Sequence, residues 1–103
     1  MIHLQHTHPE ARPVVVYLFS PGSDSCRVME PVIHELKELA GHKATIVLLD
    51  IDQHEDYRVN YDVVSVPEVL IFHQGYLTWR KSGMAPAHEI LEQLQVREET
   101  GFQ

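Results

Sequence analysis

The sequence predicts an α/β domain whose elements run β-α-β-α-β-β-α. Three stretches carry that expectation. Val14-Val15-Val16-Tyr17-Leu18-Phe19 is an unbroken, β-branched apolar run, which suits a strand buried on both faces of a parallel or mixed sheet. Ala44 to Ile51, "ATIVLLDI", has the same character and reads as a second buried strand. Val69-Leu70-Ile71-Phe72 and Tyr76-Leu77-Thr78-Trp79 flank His73-Gln74-Gly75, a hairpin pattern in which glycine supplies the unusual backbone angle.

The intervening segments read as helices. Ser23 and Asp24 place a capping hydroxyl and an acid where a helix begins. Val28, Val32, Leu36, Leu39 and Ala40 then mark an apolar face, with Met29 and Ile33 beside it and Gly41 as the stop. Pro31 falls inside this helix, where it removes a hydrogen bond and is expected to kink the axis. Gln53 to Tyr61 reads as a short polar helix or helical turn anchored by Tyr57 and Tyr61. Gly83 closes the hairpin, and Pro86 opens a last helix with Ala87, Ile90, Leu91 and Leu94 inward. Ahead of all these, Ile2 to Gln5 reads as a short strand or arm. With no repeat, linker or low-complexity segment, residues 1–103 read as one domain.

The totals narrow the function. A chain of 103 residues is long enough to bury roughly two-thirds of its unfolded surface without staples. Its formal charge of −7 opposes nucleic acid and anionic membrane surfaces as partners. No apolar run reaches the length of a bilayer span, and the start "MIHLQHTHPEAR" lacks the basic-then-apolar order of a signal peptide. One cysteine permits no internal disulfide, and the cytoplasm is the default compartment.

At the end of the first strand the residues carry a family likeness. "VVVYLFSPGSDSCRVMEPVIHEL" resembles the strand, redox turn and kinked helix of thioredoxins, whose pattern is F-W-A-x-W-C-G-P-C-K-x-x-x-P. Cys26, Arg27 and Pro31 fall on the second cysteine, the basic residue and the helix proline. "VLLDIDQHEDYRVNYDVVSVPEVLIF" resembles the later stretch ending in the family's X-Pro peptide, and "HQGYLTWRKSGM" resembles the hairpin after it. The likeness spans roughly residues 13 to 96, with the first family helix cut to a turn near Pro9-Glu10-Ala11. It implies a thioredoxin fold: a central mixed sheet of four or five strands with helices on both faces. It also implies a cis peptide at Val66-Pro67 that faces the redox turn and offers the Val66 backbone to an extended peptide.

The same resemblance shows what is missing. Ser23 stands where the family's attacking cysteine belongs, and a serine hydroxyl neither attacks a disulfide nor forms one. Asp24-Ser25 replaces Gly-Pro between the two positions. Tyr17 falls on the family's buried aspartate, Leu48 on the lysine that pairs with it, Gly22 on a tryptophan, and Glu68 on a threonine. The nucleophile and the groups that handle its proton are absent together.

Two readings of function follow. The first is a protein- or peptide-binding or assembly module without dithiol–disulfide reductase activity, docking an extended segment beside Gly22, Asp24, Ser25, Val66, Pro67 and Glu68. The second is a monothiol oxidoreductase or redox sensor in cell redox homeostasis, with Cys26 forming mixed disulfides and glutathione as co-substrate. For Cys26 the plain alternative is a buried thiol packed as a small hydrophobe. Ser23 reads foremost as a helix cap. Glu68 reads as a solvated strand-end charge or a contact for a basic partner, with Asp24 and Glu68 placing negative charge near Cys26. Arg27 and Arg80 read as solvent-facing. His3, His6 and His8 form H-x-x-H-x-H; they read as exposed polar residues, although on a strand His6 and His8 share a face that would offer two metal ligands. No metal site and no resident cofactor are expected, and the chain is expected to be a monomer or weak homodimer.

Overall fold

Alternation along the first strand builds the whole domain. In the computed structural model, which describes the backbone of residues 12–100 and the side chains of residues 12–94, β1 runs Val14–Phe19 at the centre of a four-stranded sheet. Its odd side chains, Val15 and Tyr17, point to one face, and its even ones, Val14, Val16 and Leu18, to the other. β1 therefore has no solvent side, as its unbroken apolar run predicts.

The remaining elements are α1 (Asp24–Ala40), β2 (Thr45–Asp50), α2 (Glu55–Asn60), β3 (Glu68–His73), β4 (Tyr76–Ser82) and α3 (Ala87–Thr100). The strand order is β2-β1-β3-β4. β1 and β2 are parallel, and the other two pairings are antiparallel. The mixed sheet with this βαβαββα order is the thioredoxin fold the resemblance implies. The expected strand at Ile2 to Gln5, the turn near Pro9 and the histidines His3, His6 and His8 lie outside the described residues.

One core lies between the sheet and the pair α1 and α3, where Met29, Ile33, Leu36, Ile90 and Leu94 meet Val15, Tyr17, Val69 and Ile71. The second lies on the opposite face, where Tyr57 of α2 and Val63 cover Val16, Leu18, Leu70 and Phe72. Two sequence expectations need correction here. The buried stripe of α1 is Cys26, Met29, Ile33, Leu36 and Ala40, whereas Val28 and Leu39 are 62% and 52% exposed. Both candidate faces follow helical spacing, and only the sheet decides which turns inward. β2 is likewise not buried: it is an edge strand among the described residues, half-covered throughout, with Leu48 exposed. Pro86 lies one residue ahead of α3, where its carbonyl accepts from Glu89 and Ile90.

The hairpin obeys its turn chemistry. Gln74 and Gly75 both have positive φ, 54° and 87°, between the paired residues His73 and Tyr76. A bulge opposite Ile71 and Phe72 shifts the register of β4, and the Thr78 hydroxyl donates to the Ile71 carbonyl at 3.2 Å.

The helix-face assignment has a direct test. Met29→Ala is expected to lower unfolding free energy by about 2–5 kcal/mol, and Val28→Ala by no more than about 0.5 kcal/mol, in urea titrations.

Candidate functional site

β1 and β3 bring the two halves of the site to one end of the sheet. Their antiparallel register sets Leu18 opposite Glu68. The turn leaving β1 at Ser20 to Ser23 and the Val66-Pro67 peptide entering β3 thus emerge beside each other. That peptide is cis.

On the β1 side, the Ser23 amide donates to the Ser20 carbonyl at 3.1 Å and closes the turn. Ser23 then caps α1: its hydroxyl accepts from the Cys26 amide at 3.2 Å. Asp24 and Ser25 face solvent, and Asp24 pairs with Arg27 at 3.1 Å between two exposed side chains. Such a surface pair contributes little to stability. A side chain added at Gly22 would meet nothing within 4 Å, so the approach to this turn is open.

Cys26 is only 4% exposed. The Tyr17 hydroxyl donates to its carbonyl at 3.3 Å. Burial raises the Tyr17 phenol above the ordinary tyrosine range; the Cys26 thiol beside it, through charge and hydrogen bonding, and then Glu30 add to the effect. Cys26 nevertheless lines a cleft of about 440 Å³ between α1 and the β1–β2 pair, with Tyr17, Phe19, Ile33 and Leu48 as its apolar walls. Of the residues picked out by sequence as catalytic or peptide-binding, this cleft takes in Cys26 alone; Gly22, Val66 and Pro67 do not line it.

On the β3 side, no hydrogen bond ties the N–H or C=O of half-buried Val66 to the other described residues. The Gly83 amide donates to the Pro67 carbonyl at 2.8 Å, which brings the end of β4 against the cis peptide. Val64 and Met84, two residues before Val66 and one after Gly83, are 82% and 45% exposed. Sequence reading missed this apolar pair. The signal available was Met84 directly following the glycine that closes the hairpin.

Glu68 corrects the expectation of an open charge. It is 1% exposed and lies on the sheet face of Leu70 and Phe72, away from Cys26 and α1. Arg80 pairs with one of its oxygens at 2.7 and 2.6 Å through Nε and Nη2, and the Ser82 hydroxyl donates to the other at 2.7 Å. Arg80 Nη1 also donates to the Tyr61 carbonyl at 2.7 Å. Both carboxylate oxygens are thus occupied, and Arg80, exposed as expected, is in addition the structural partner of a buried carboxylate. The hairpin register carried the clue, since Glu68 faces Ser82 and Leu70 faces Arg80.

Among the described residues, no cluster of three or more His, Cys, Asp and Glu side chains has the geometry to hold a metal. No helix among them is long and apolar enough to cross a membrane.

This combination, a mixed sheet with a cis-proline peptide beside a capped helix start, defines a thioredoxin-fold domain. The thioredoxin family model matches residues 3–96, and the chain belongs to that family. It is 26% identical over 84 residues to chloroplastic thioredoxin Y of Oryza sativa, covering 82% of this chain and half the length of that relative. It is 26% identical to the thioredoxin-like protein slr0233 of Synechocystis, covering 82% and 81% of the two chains. It is 28% identical to Bacillus subtilis thioredoxin, covering 77% and 76%. Among solved structures, a mutant thioredoxin of Halobacterium salinarum superposes with a TM-score of 0.77 at 19% identity, over 90% of this chain and 80% of that one.

Two measurements test the site. Arg80→Met is expected to cost about 3 kcal/mol because it leaves Glu68 buried without its cation, and adding Glu68→Leu should recover most of that loss in denaturant unfolding. Tyr17 holds its proton more tightly in the folded chain than in the unfolded one. Its contribution is therefore complete below about pH 10 and is lost as pH rises further. Tyr17→Phe is expected to flatten, without abolishing, the alkaline fall in stability, since buried Tyr57 and half-buried Tyr61 shift in the same direction.

Proposed function

We propose that this thioredoxin-family domain binds an extended protein segment and does not perform the dithiol–disulfide exchange of two-cysteine relatives. The observation that carries the reading is the pairing of Ser23 with Cys26. The hydroxyl at the attacking position is held by the backbone of the residue that would have to resolve the bond. One sulfur has no neighbour with which to cycle. The unpaired backbone of Val66 supports docking by strand-like hydrogen bonds, with Val64 and Met84 as apolar shoulders and Gly22 leaving room. In this reading the domain acts in the cytoplasm as a monomer or weak homodimer, without a resident cofactor.

A second reading is favoured by one observation: Cys26, though buried, lines an open cleft. As a monothiol it would attack glutathione disulfide, losing its proton to solvent. The Cys26–glutathione disulfide would form and one reduced glutathione would leave.

The two readings part at Cys26→Ala. Peptides selected on the wild-type domain are expected to bind this variant within about twofold, whereas Met84→Glu weakens them about tenfold. If binding disappears with Cys26→Ala and a mixed disulfide disappears with it, the thiol carries the function instead. Insulin disulfide reduction is expected to stay at background. Ser23→Cys should raise it only slightly, because neither Tyr17 nor Leu48 offers a group to move the proton.

A further inference from the structure

The cleft beside Cys26 is polarised in a way that peptide docking at Val66 does not use. Its floor is apolar and aromatic. The rings of Tyr17 and Phe19 lie nearly parallel, with centroids 5.8 Å apart. Leu48, on the outer strand, leaves 44% of its surface open, and Ile33 closes the helix side. Charge is ordered along the α1 wall. Glu30 faces Tyr17 near the Cys26 end. His34 and Lys37 follow toward the other end, Lys37 being seven residues and about 10 Å along the axis from Glu30. Arg27 is already paired with Asp24. His34 and Lys37 have no ion-pair partner among the described residues.

We propose that this cleft binds a small carboxylate carrying an apolar body. The body lies over Leu48, Tyr17 and Phe19, and the carboxylate meets Lys37 and His34. Three properties point to that occupant. The volume of about 440 Å³ lies within the roughly 300–1,000 Å³ of small-molecule sites. Exposed apolar surface on an edge strand gains by being covered. On a chain of net charge −7, the Lys37 ammonium stands at one end of that surface without an ion-pair partner among the described residues. It lies about two helical turns from the cleft's single acid, Glu30, with the His34 imidazole between them as a hydrogen-bonding group. The inference is independent of the peptide-binding reading, since the cleft excludes Val66 and Pro67.

Phenylbutyrate and its uncharged analogue phenylbutanol distinguish the parts. Amide NMR titration of the full chain with phenylbutyrate should give saturable shifts confined to Tyr17, Ile33, His34 and Leu48, with a dissociation constant of about 1 mM or below. Phenylbutanol should bind about threefold more weakly, as should phenylbutyrate to Lys37→Ala, and Glu30→Gln should bind phenylbutyrate at least as well as the wild type. Leu48→Gln, at an exposed position, should weaken both probes. The absence of saturable shifts overturns the proposal. So do equal affinities for acid and alcohol, or shifts unchanged by both Lys37→Ala and Leu48→Gln. If Lys37→Ala lowers stability while leaving affinity intact, Lys37 serves only the negative end of the α1 dipole, and the carboxylate assignment fails.

Discussion

The register that sets Leu18 opposite Glu68 governs the functional end of this molecule. Both residues belong to central strands with an apolar core on each face, so apolar pattern alone does not pin the register. A one-residue slip of β3 would instead carry Glu68 away from Arg80 and Ser82 and into the apolar core under α1. What leaves β1 and what enters β3 are therefore fixed beside each other before any contact between them is considered. The turn carrying Ser23 and the peptide carrying Pro67 acquire their proximity from the sheet. The Gly83–Pro67 bond then ties in the end of β4 as a third component.

The two faces of that sheet have separate duties. On the α2 face, exposed Arg80 and Ser82 close over the buried Glu68 carboxylate at the edge of the apolar cluster. The value of this polar group lies in its completeness: every carboxylate oxygen has a donor, and Arg80 spans from β4 to the end of α2. On the α1 face, the substitutions that the family likeness marks as losses, Tyr17 and Leu48, line the cleft together with Cys26. Both side chains supply apolar surface to it.

Much of this was legible in the sequence, and for identifiable reasons. β1 announced itself because burial on two faces leaves no alternation, and the hairpin because only certain residues tolerate positive φ. Ser23 announced the start of α1 through its capping chemistry. What failed was orientation. Val28 and Leu39 have the same helical spacing as Met29 and Ile33, and periodicity alone does not say which stripe the sheet receives. "ATIVLLDI" is as apolar as β1, yet its lateral neighbours determine its exposure, and these are set by strand order. Glu68 read as solvated because a charge at the start of a strand usually is. Its partner stands twelve residues away and is reached only through the hairpin register.

The hydrogen bond from the Cys26 amide to Ser23 has a consequence for how firmly the helix start is held. Sulfur accepts such a bond poorly, so a cysteine in the same place would begin the helix on a weaker stop. With a hydroxyl there instead, the bend between β1 and α1 is pinned twice, by the Ser23 side chain on the Cys26 amide and by the Ser23 amide on the Ser20 carbonyl.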